Sequence, residues 1–564
     1  MSKKRILIVG GVAGGATCAA RARRLCEQCE ILIFDRGPYV SFANCGLPYY
    51  VGDVITTEEN LLVATPKLFK DRFNIEVYTE TEVTRIDRYQ KEIEVRDLKT
   101  GKIRREPYDA LVLAVGAQPI RPPIPGIDLP GIFALRTIPD SRKIRKAVEN
   151  ASQAVIVGGG FVGLEMAENL VRRGLSVTIV EMTNQVVPLL DPEMATFVAA
   201  HLQTNGVNLR LNSRVEGFYP RSQGGLSVHT ASGDKIDTDL VILSVGVRPE
   251  TSLAKEAGLV LGEHGGIRVD DQMRTSDPNI WAVGDVVEVR DVITGNWQLV
   301  PLAGPAHRQG RIAAAAILGR TNADIHFRGV QGTAVCGVFG LTVAMTGASE
   351  KALKRAGIKN YQKIYLHPGS HVGYYPGAKP IHIKLLFSKD DGRILGVQAV
   401  GESDVARRVD VISMAIQMGG TVYDLEEAEL CYAPQFGAAK DPVNLAGMIA
   451  ANHLRGDLPL ADWEELNKVD VQLIDVRSVA EYERSHIAGA KNIPIDELRS
   501  RLGELSKDRE VWLVCGVGQR AYYATRVLLQ NGFKVRNLSG GMQTYTTFKN
   551  ILFVGAHGRV PLRL

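Results

Sequence analysis

The sequence predicts an α/β chain with two Rossmann-like units, a mixed α+β stretch and a compact C-terminal α/β unit. Two observations carry this. A short β-branched run ending in clustered glycines, then a helix-forming stretch, then a second strand ending in an acid, occurs twice, and no other repeat is present. Near the C-terminus, three strand-like runs alternate with helical ones, and the middle run opens into a cysteine and a tight glycine-containing loop.

The elements follow in order. Residues 5–9 (Arg-Ile-Leu-Ile-Val) read as a strand that breaks at Gly10-Gly11-Val12-Ala13-Gly14-Gly15, followed by a helix through Leu25 and a strand over 31–34 ending at Asp35. The pattern recurs as a strand over 154–157, the turn Gly158-Gly159-Gly160-Phe161-Val162-Gly163, a helix through Arg173 and a strand over 177–180 ending at Glu181. Gly158, Gly160 and Gly163 allow a tight turn, close approach of a pyrophosphate to the N–H groups of a helix start, and close packing of helix on strand. The first copy departs from this at Val12, although Gly14 and Gly15 keep its turn small. Two such units, each closed by an acid about two dozen residues on, point to two bound dinucleotides.

Residues 240–245 form a further buried strand, and 275–285 read as a turn, a strand and an exposed Gly284-Asp285 pair. The 328–450 stretch mixes strands such as 381–387 with helices such as 405–418. Residues 454–459, with Gly456 and Pro459, read as a linker, and the last unit places strands at 473–476, 511–514 and 535–538.

Composition narrows the function. The 564 residues suffice for about three to five domains, and 45% hydrophobic with 23% charged residues is ordinary globular usage. A net charge of +5 without a block of like charges, and no interleaving of basic with aromatic residues, argues against nucleic acid. No apolar run reaches the 18 or so residues of a membrane span, so no membrane partner is expected. Seven cysteines in so long a chain exclude a disulfide framework, and a cytoplasmic setting follows as the expectation.

Three groups of residues carry chemistry. Cys45 lies in Ser-Phe-Ala-Asn-Cys-Gly-Leu-Pro, where Pro48 suits a first helical turn, so the thiol sits at a helix start that favours the reactive thiolate. No second cysteine stands in that segment, so any redox disulfide at Cys45 forms with a small thiol or a distant residue. Cys515 opens the loop Cys-Gly-Val-Gly-Gln-Arg before a helix, a shape that aims successive N–H groups inward as an anion cradle. Four residues separate Cys515 from Arg520, one fewer than in phosphotyrosine phosphatases, which is too tight for phosphate and suited to a persulfide. Thr17, Arg21 and Arg24 share one helix face and, with Ser41 and Asn44, form either a phosphate-holding surface or a solvated face. Cys18, Cys26, Cys29, Cys336 and Cys431 are read as structural; Cys26-x-x-Cys29 has redox or zinc spacing but no partner pair or histidine cluster beside it, and no metal is expected.

With both glycine turns, Gly284-Asp285 and the single Cys45 in place, the chain resembles the flavin-dependent pyridine-nucleotide disulfide oxidoreductases, in their single-cysteine, coenzyme A disulfide reductase branch. The segment from Asp475-Val476-Arg477 through Asn492-Ile493-Pro494 to the Cys515 loop resembles a rhodanese domain. The resemblance implies an FAD-binding domain over 1–115 and 246–327, an NAD-binding domain over 116–245, a dimerisation domain over 328–452 and a rhodanese domain over 463–550; the tail from Ile551 carries no readable motif. Gly10, Val12, Gly15 and Asp35 would then hold the adenosine half of FAD, and Gly284-Asp285 its ribityl chain. Gly158, Gly160, Gly163 and Glu181 would hold the nicotinamide cofactor, with Phe161 as a gate over the flavin. Glu181 favours NADH, while NADPH stays open. Tyr374 and Tyr432 match two catalytic tyrosines supplied across a homodimer.

The implied reaction passes electrons from NADH through FAD to a mixed disulfide of Cys45 and coenzyme A, releases hydrosulfide from a persulfide or polysulfide, and uses Cys515 and Arg520 to carry the sulfane sulfur. Three alternatives stand beside it: reduction of coenzyme A disulfide itself, peroxide or oxygen reduction through a Cys45 sulfenate, and a rhodanese unit acting as a binding module.

Overall fold

Strands buried on both faces of a parallel sheet are apolar, and the inner strands of the first sheet are built this way. Ile280–Ala282, Ala110–Leu113, Arg5–Val9, Glu30–Phe34 and Glu76–Tyr78 lie side by side in that order, all parallel, with Ile6 opposite Ile31 and Ala110. A second parallel run sets Ser176–Val180, Gln153–Val157, Leu240–Leu243 and Ile132–Ala134 in order, with Ile156 opposite Ile179 and Ile242. The strand expected over 240–245 stops at Leu243, because the Ser244 carbonyl packs where a Cβ on Gly158 would sit. This computed structural model describes residues 4–320, 325–466 and 468–557, so the end of the tail from Ile551 lies outside the described residues.

The chain divides into two units, Met1–Val180 with Arg214–Gly332, and Glu181–Ser213 with Thr333–Leu564. The first contains both parallel runs. In the second, Ala334–Val338, Leu341–Gly347, Ile394–Gly401, Ile381–Ser388 and Tyr361–Leu366 form an antiparallel sheet. A parallel sheet of Leu460–Ala461, Val535–Leu538, Val511–Val514, Gln472–Asp475 and Lys491–Asn492 follows. The expected linker over 454–459 is not a loose one. Its Leu458 is buried, and the next residues, Leu460–Ala461, already pair with the last sheet.

A buried ionic network holds the second unit. The fully buried Lys384 ammonium meets Asp191 at 2.9 Å, Glu350 at 2.9 Å and Glu193. Lys363 joins Glu350 at 3.2 Å and Glu464 at 2.8 Å, and the Tyr365 hydroxyl donates to Glu193 at 2.8 Å. The three carboxylates converge as ligands of a cation would, but the ammonium is that cation. Although burial works against it, Lys384 and Lys363 hold Glu350 well below the usual carboxylate range.

Candidate active site

Cys45 stands in the three-residue turn Asn44–Gly46, just before the short helix Leu47–Val51 with Pro48 in its first turn. Leu47 packs with Leu61 and Ile138, which anchors the segment while leaving the thiol open to solvent. The expectation that the helix start favours the thiolate is corrected. Desolvation, then the carboxylates of Glu165 and Asp285, push the Cys45 thiol above its ordinary value. A helix of five residues has too small a dipole to offset them.

Glu165 comes from the helix Phe161–Arg172 and accepts a hydrogen bond from the Tyr49 hydroxyl at 3.3 Å. Burial raises its carboxyl to about 7, so it holds a proton near neutral pH. Burial also raises Asp285, partly offset by Arg136. Glu165, Tyr49 and Arg136 had no sequence signal, since contacts across more than 100 residues leave no period. The nearest hint was Glu165 two places beyond Gly163.

Both glycine turns are shaped by contacts that only glycine permits. A Cβ on Gly10 would strike the Ala114 carbonyl, one on Gly15 the Gly10 carbonyl, and one on Gly163 the Gly158 carbonyl. Gly10, Gly158 and Gly284 also occupy left-handed backbone. Gly160 differs, because a Cβ there would meet nothing within 4 Å: the start of its helix faces open space. Val12 caps the helix Ala13–Leu25 without a side-chain bond. Asp35 takes the N–H groups of Gly11 at 2.9 Å and Gly37 at 2.8 Å, tying the first turn to the end of its second strand. Ser41, in left-handed backbone, donates its N–H to the Gly11 carbonyl at 2.8 Å and so draws the Cys45 segment to the same turn. Phe161 is half-buried at the head of its helix. The Gly284 N–H donates to Gln309 at 2.7 Å.

The face carrying Thr17, Arg21 and Arg24 gains members from a second helix, Ala303–Ile317. The two approach closely because a Cβ on Gly310 would strike the Gly14 carbonyl. Thr17 Oγ1 lies 2.6 Å from His307 Nδ1. Burial first, then the neighbouring charges of Arg311, Arg24 and Arg320, disfavour the charge on Arg21. Among the described residues, no carboxylate pairs with any of these four guanidiniums. Asn44 is turned elsewhere, donating to the Arg136 carbonyl at 3.3 Å.

In the second unit, Cys515 ends the buried strand Val511–Val514, and its Sγ accepts N–H groups from Gly518 at 3.2 Å and Ala521 at 3.4 Å. The loop can turn these donors inward because its carbonyls are satisfied outside it. Met542 N–H donates to the Cys515 oxygen at 2.7 Å and Gln543 N–H to that of Gly516 at 3.1 Å. Arg520 is held by Glu481 in a bidentate pair, both contacts 2.7 Å, which lowers Glu481 to about 2. Tyr374 and Tyr432 are brought together, hydroxyl to hydroxyl at 2.8 Å, and both are exposed. Glu181 is buried and accepts the Thr183 N–H at 2.8 Å. Cys26 and Cys29, read as structural, are joined as a disulfide across the turn after the helix Ala13–Leu25.

No helix among the described residues is long and apolar enough to cross a membrane. Three family models match: pyridine nucleotide-disulphide oxidoreductase over residues 4–310, its dimerisation domain over 333–441 and a rhodanese-like domain over 462–547. The coenzyme A disulfide reductase of Staphylococcus epidermidis is 36% identical over 78% of this chain and 99% of its own length. The solved structure of reduced CoADR-RHD from Bacillus anthracis is 45% identical, with a TM-score of 0.94 over 97% of this chain and 98% of that one. An NAD-dependent persulfide reductase from A. fulgidus is 39% identical, with a TM-score of 0.89 over 96% and 100% of the two chains. The family implies FAD and NAD(H), and the turn geometry fits them: the closed contacts at Gly10, Gly15, Gly158 and Gly163 leave the helix start at Gly160 free for a phosphate. This chain belongs to the pyridine nucleotide-disulphide oxidoreductase family and is an oxidoreductase.

Proposed function

We propose that this protein reduces the S–S bond of persulfides of the coenzyme A type, or of polysulfide, to thiol and hydrosulfide, using NADH and FAD. The observation that carries the reading is the Cys515 cradle, in which two N–H groups converge on the sulfur, within the same chain as a single-cysteine disulfide-reductase site. The relatives named as coenzyme A disulfide reductase and persulfide reductase support the substrate class.

Bound FAD supplies the two-electron path from the nicotinamide to sulfur. Its residues are Gly10, Val12, Gly15, Asp35, Gly284 and Asp285, while Gly158, Gly160, Phe161, Gly163 and Glu181 receive the nicotinamide dinucleotide. The buried Glu181 carboxylate disfavours a 2′-phosphate, which supports NADH over NADPH. Thr17, Arg21, Arg24 and Ser41 orient the phosphates of the thiol substrate over the unpaired guanidinium surface. The Cys45 sulfur attacks the carrier-side sulfur of R–S–SH, a Cys45–S–S–R bond forms, and hydrosulfide leaves. Two electrons originating from NADH reopen that bond and release RS⁻. Glu165 holds a proton beside Cys45 near neutral pH, and the Tyr374–Tyr432 pair, supplied across a homodimer, protonates the leaving group. Cys515 carries sulfane sulfur, with Arg520 positioned by Glu481 beside the loop. The domain limits set out from the sequence serve as the working division of these tasks, and the supply of NADH places the reaction in the cytoplasm.

A second reading, reduction of coenzyme A disulfide, is favoured by the same guanidinium surface and by the Staphylococcus epidermidis relative. Cys45→Ser and Cys515→Ser separate the two. The proposal expects Cys45→Ser to abolish turnover of every S–S substrate, and Cys515→Ser to slow polysulfide turnover while sparing coenzyme A disulfide. Unchanged polysulfide turnover in Cys515→Ser would remove the carrier role.

A further inference from the structure

We propose that Cys26 and Cys29 form a second redox centre, a dithiol that reduces sulfane sulfur and closes to the disulfide seen here. The choice of oxidant rests on the substrate class proposed above; the redox activity of the pair rests on its surroundings.

The two cysteines bracket the turn between the helix Ala13–Leu25 and the strand Glu30–Phe34. That turn is fixed without the S–S bond. Arg23, only 5% exposed, donates from Nε to the Phe73 carbonyl at 2.7 Å, from Nη1 to the carbonyls of Cys26 at 3.2 Å and Glu27, and from Nη2 to the Asn74 carbonyl at 2.9 Å. A ring this short gains little from loop closure, and the clamp holds the backbone in either redox state. Reduction therefore leaves two thiols side by side.

All of these contacts go to backbone carbonyls, and among the described residues no carboxylate pairs with this guanidinium, so its hold on the turn does not depend on an ion pair. The two sulfurs are also unequally placed: Cys26 is half-exposed and Cys29 is buried at 4%. That is an accessible attacker with a sheltered resolving partner. Cys18, in the same helix, shows the contrast, its fully buried thiol pushed up to about 12 by desolvation alone.

The chemistry balances. The Cys26 thiolate attacks the sulfane sulfur of R–S–SH, forming Cys26–S–SH and releasing RS⁻. Cys29 then attacks Cys26 Sγ, the Cys26–Cys29 bond forms, and HS⁻ leaves. Two electrons pass from the two thiols to the sulfane sulfur, and their two protons go to RS⁻ and HS⁻. Two molecules of a small thiol reopen the pair by exchange and leave as RSSR, the kind of disulfide that the Cys45 site is read as reducing.

The test uses the full-length, FAD-loaded Cys45→Ser/Cys515→Ser chain, reduced with dithiothreitol, desalted and exposed anaerobically to inorganic polysulfide. Free thiols are capped with N-ethylmaleimide, and the Cys26–Cys29 peptide is weighed. We expect two caps on this peptide before exposure and none after. With Cys29→Ser added, the peptide stops one sulfur heavier at Cys26. A pair that resists native dithiothreitol, or one still doubly capped after polysulfide, overturns the proposal. Wild-type NADH oxidation with polysulfide, run in parallel, tests the Cys45 reading separately, since either result can occur without the other. If Cys29→Ser does not fold, the capping measurement on the unsubstituted pair decides alone.

Discussion

Gly160→Ala is the substitution whose effect the structure isolates best. At this position φ is −77° and ψ is −179°, backbone that alanine adopts without strain, and a Cβ meets nothing within 4 Å. The fold itself therefore has no reason to object. The added methyl occupies the space at the helix start where a dinucleotide phosphate would receive N–H groups. Losing one charge-assisted hydrogen bond costs about 1.5–3 kcal/mol, so the KM for NADH should rise roughly ten- to hundredfold. FAD content and thermal unfolding should stay at wild-type values. Steady-state NADH oxidation with an artificial electron acceptor measures the first, and the visible absorbance ratio with calorimetry the others. Gly163→Ala is the control, since its Cβ strikes the Gly158 carbonyl and should destabilise the unit outright. An unchanged KM in Gly160→Ala would refute the assignment of this turn. So would loss of FAD without any change in KM, because the flavin would then belong at the wrong repeat.

Three further outcomes follow from the charges. Lys384→Met strands Asp191, Glu193 and Glu350 without their ammonium and should cost about 3–5 kcal/mol in urea unfolding at pH 8. Wild-type Glu350 and Asp191 sit below their ordinary values, so their stabilisation is present above the unfolded carboxyl range and lost as pH falls through the folded values. In Lys384→Met, Asp191 and Glu350 lose the ammonium that helps hold them down, and the variant's stability should fall less steeply than wild type's as pH is lowered. Glu165, raised to about 7, has the opposite sign: its neutral form is favoured by the fold, and that stability is lost as pH rises through about 7. Glu165→Gln should flatten this loss, and it should shift the alkylation profile of Cys45 to lower pH by removing a neighbouring negative charge. Glu481→Gln loosens the bidentate pair that positions Arg520 and should lower sulfur transfer to Cys515 from thiosulfate several-fold, read as thiocyanate formed with cyanide.

Strands and glycine turns were legible because their signals are local. The runs around Ile6–Val9, Val155–Val157 and Val511–Val514 are apolar because both sheet faces are covered, and the first two are each cut by a glycine that its neighbours demand. The candidate site was legible where one residue type has few uses, as at Cys45 and Cys515. Its electrostatics were not. Glu165 meets Tyr49 across 116 positions, and Arg520 meets Glu481 across 39, distances over which sequence carries no period. The proximity of Tyr374 to Tyr432 came only from resemblance, because exposed aromatics at a loop carry no signal of their own. The Cys26–Cys29 bond was not legible from its spacing alone, because the feature that fixes the turn is Arg23, whose partners at Phe73 and Asn74 lie 50 and 51 residues on.

The central claim is that the sulfur leaving this enzyme is hydrosulfide. Anaerobic NADH oxidation, with coenzyme A persulfide, inorganic polysulfide and coenzyme A disulfide compared and hydrosulfide quantified in parallel, tests it most directly. The account predicts one hydrosulfide per NADH with the sulfane substrates and a clear preference for them. Fast turnover of coenzyme A disulfide alone, with no hydrosulfide from any substrate, would contradict it and leave the Cys515 cradle without a task.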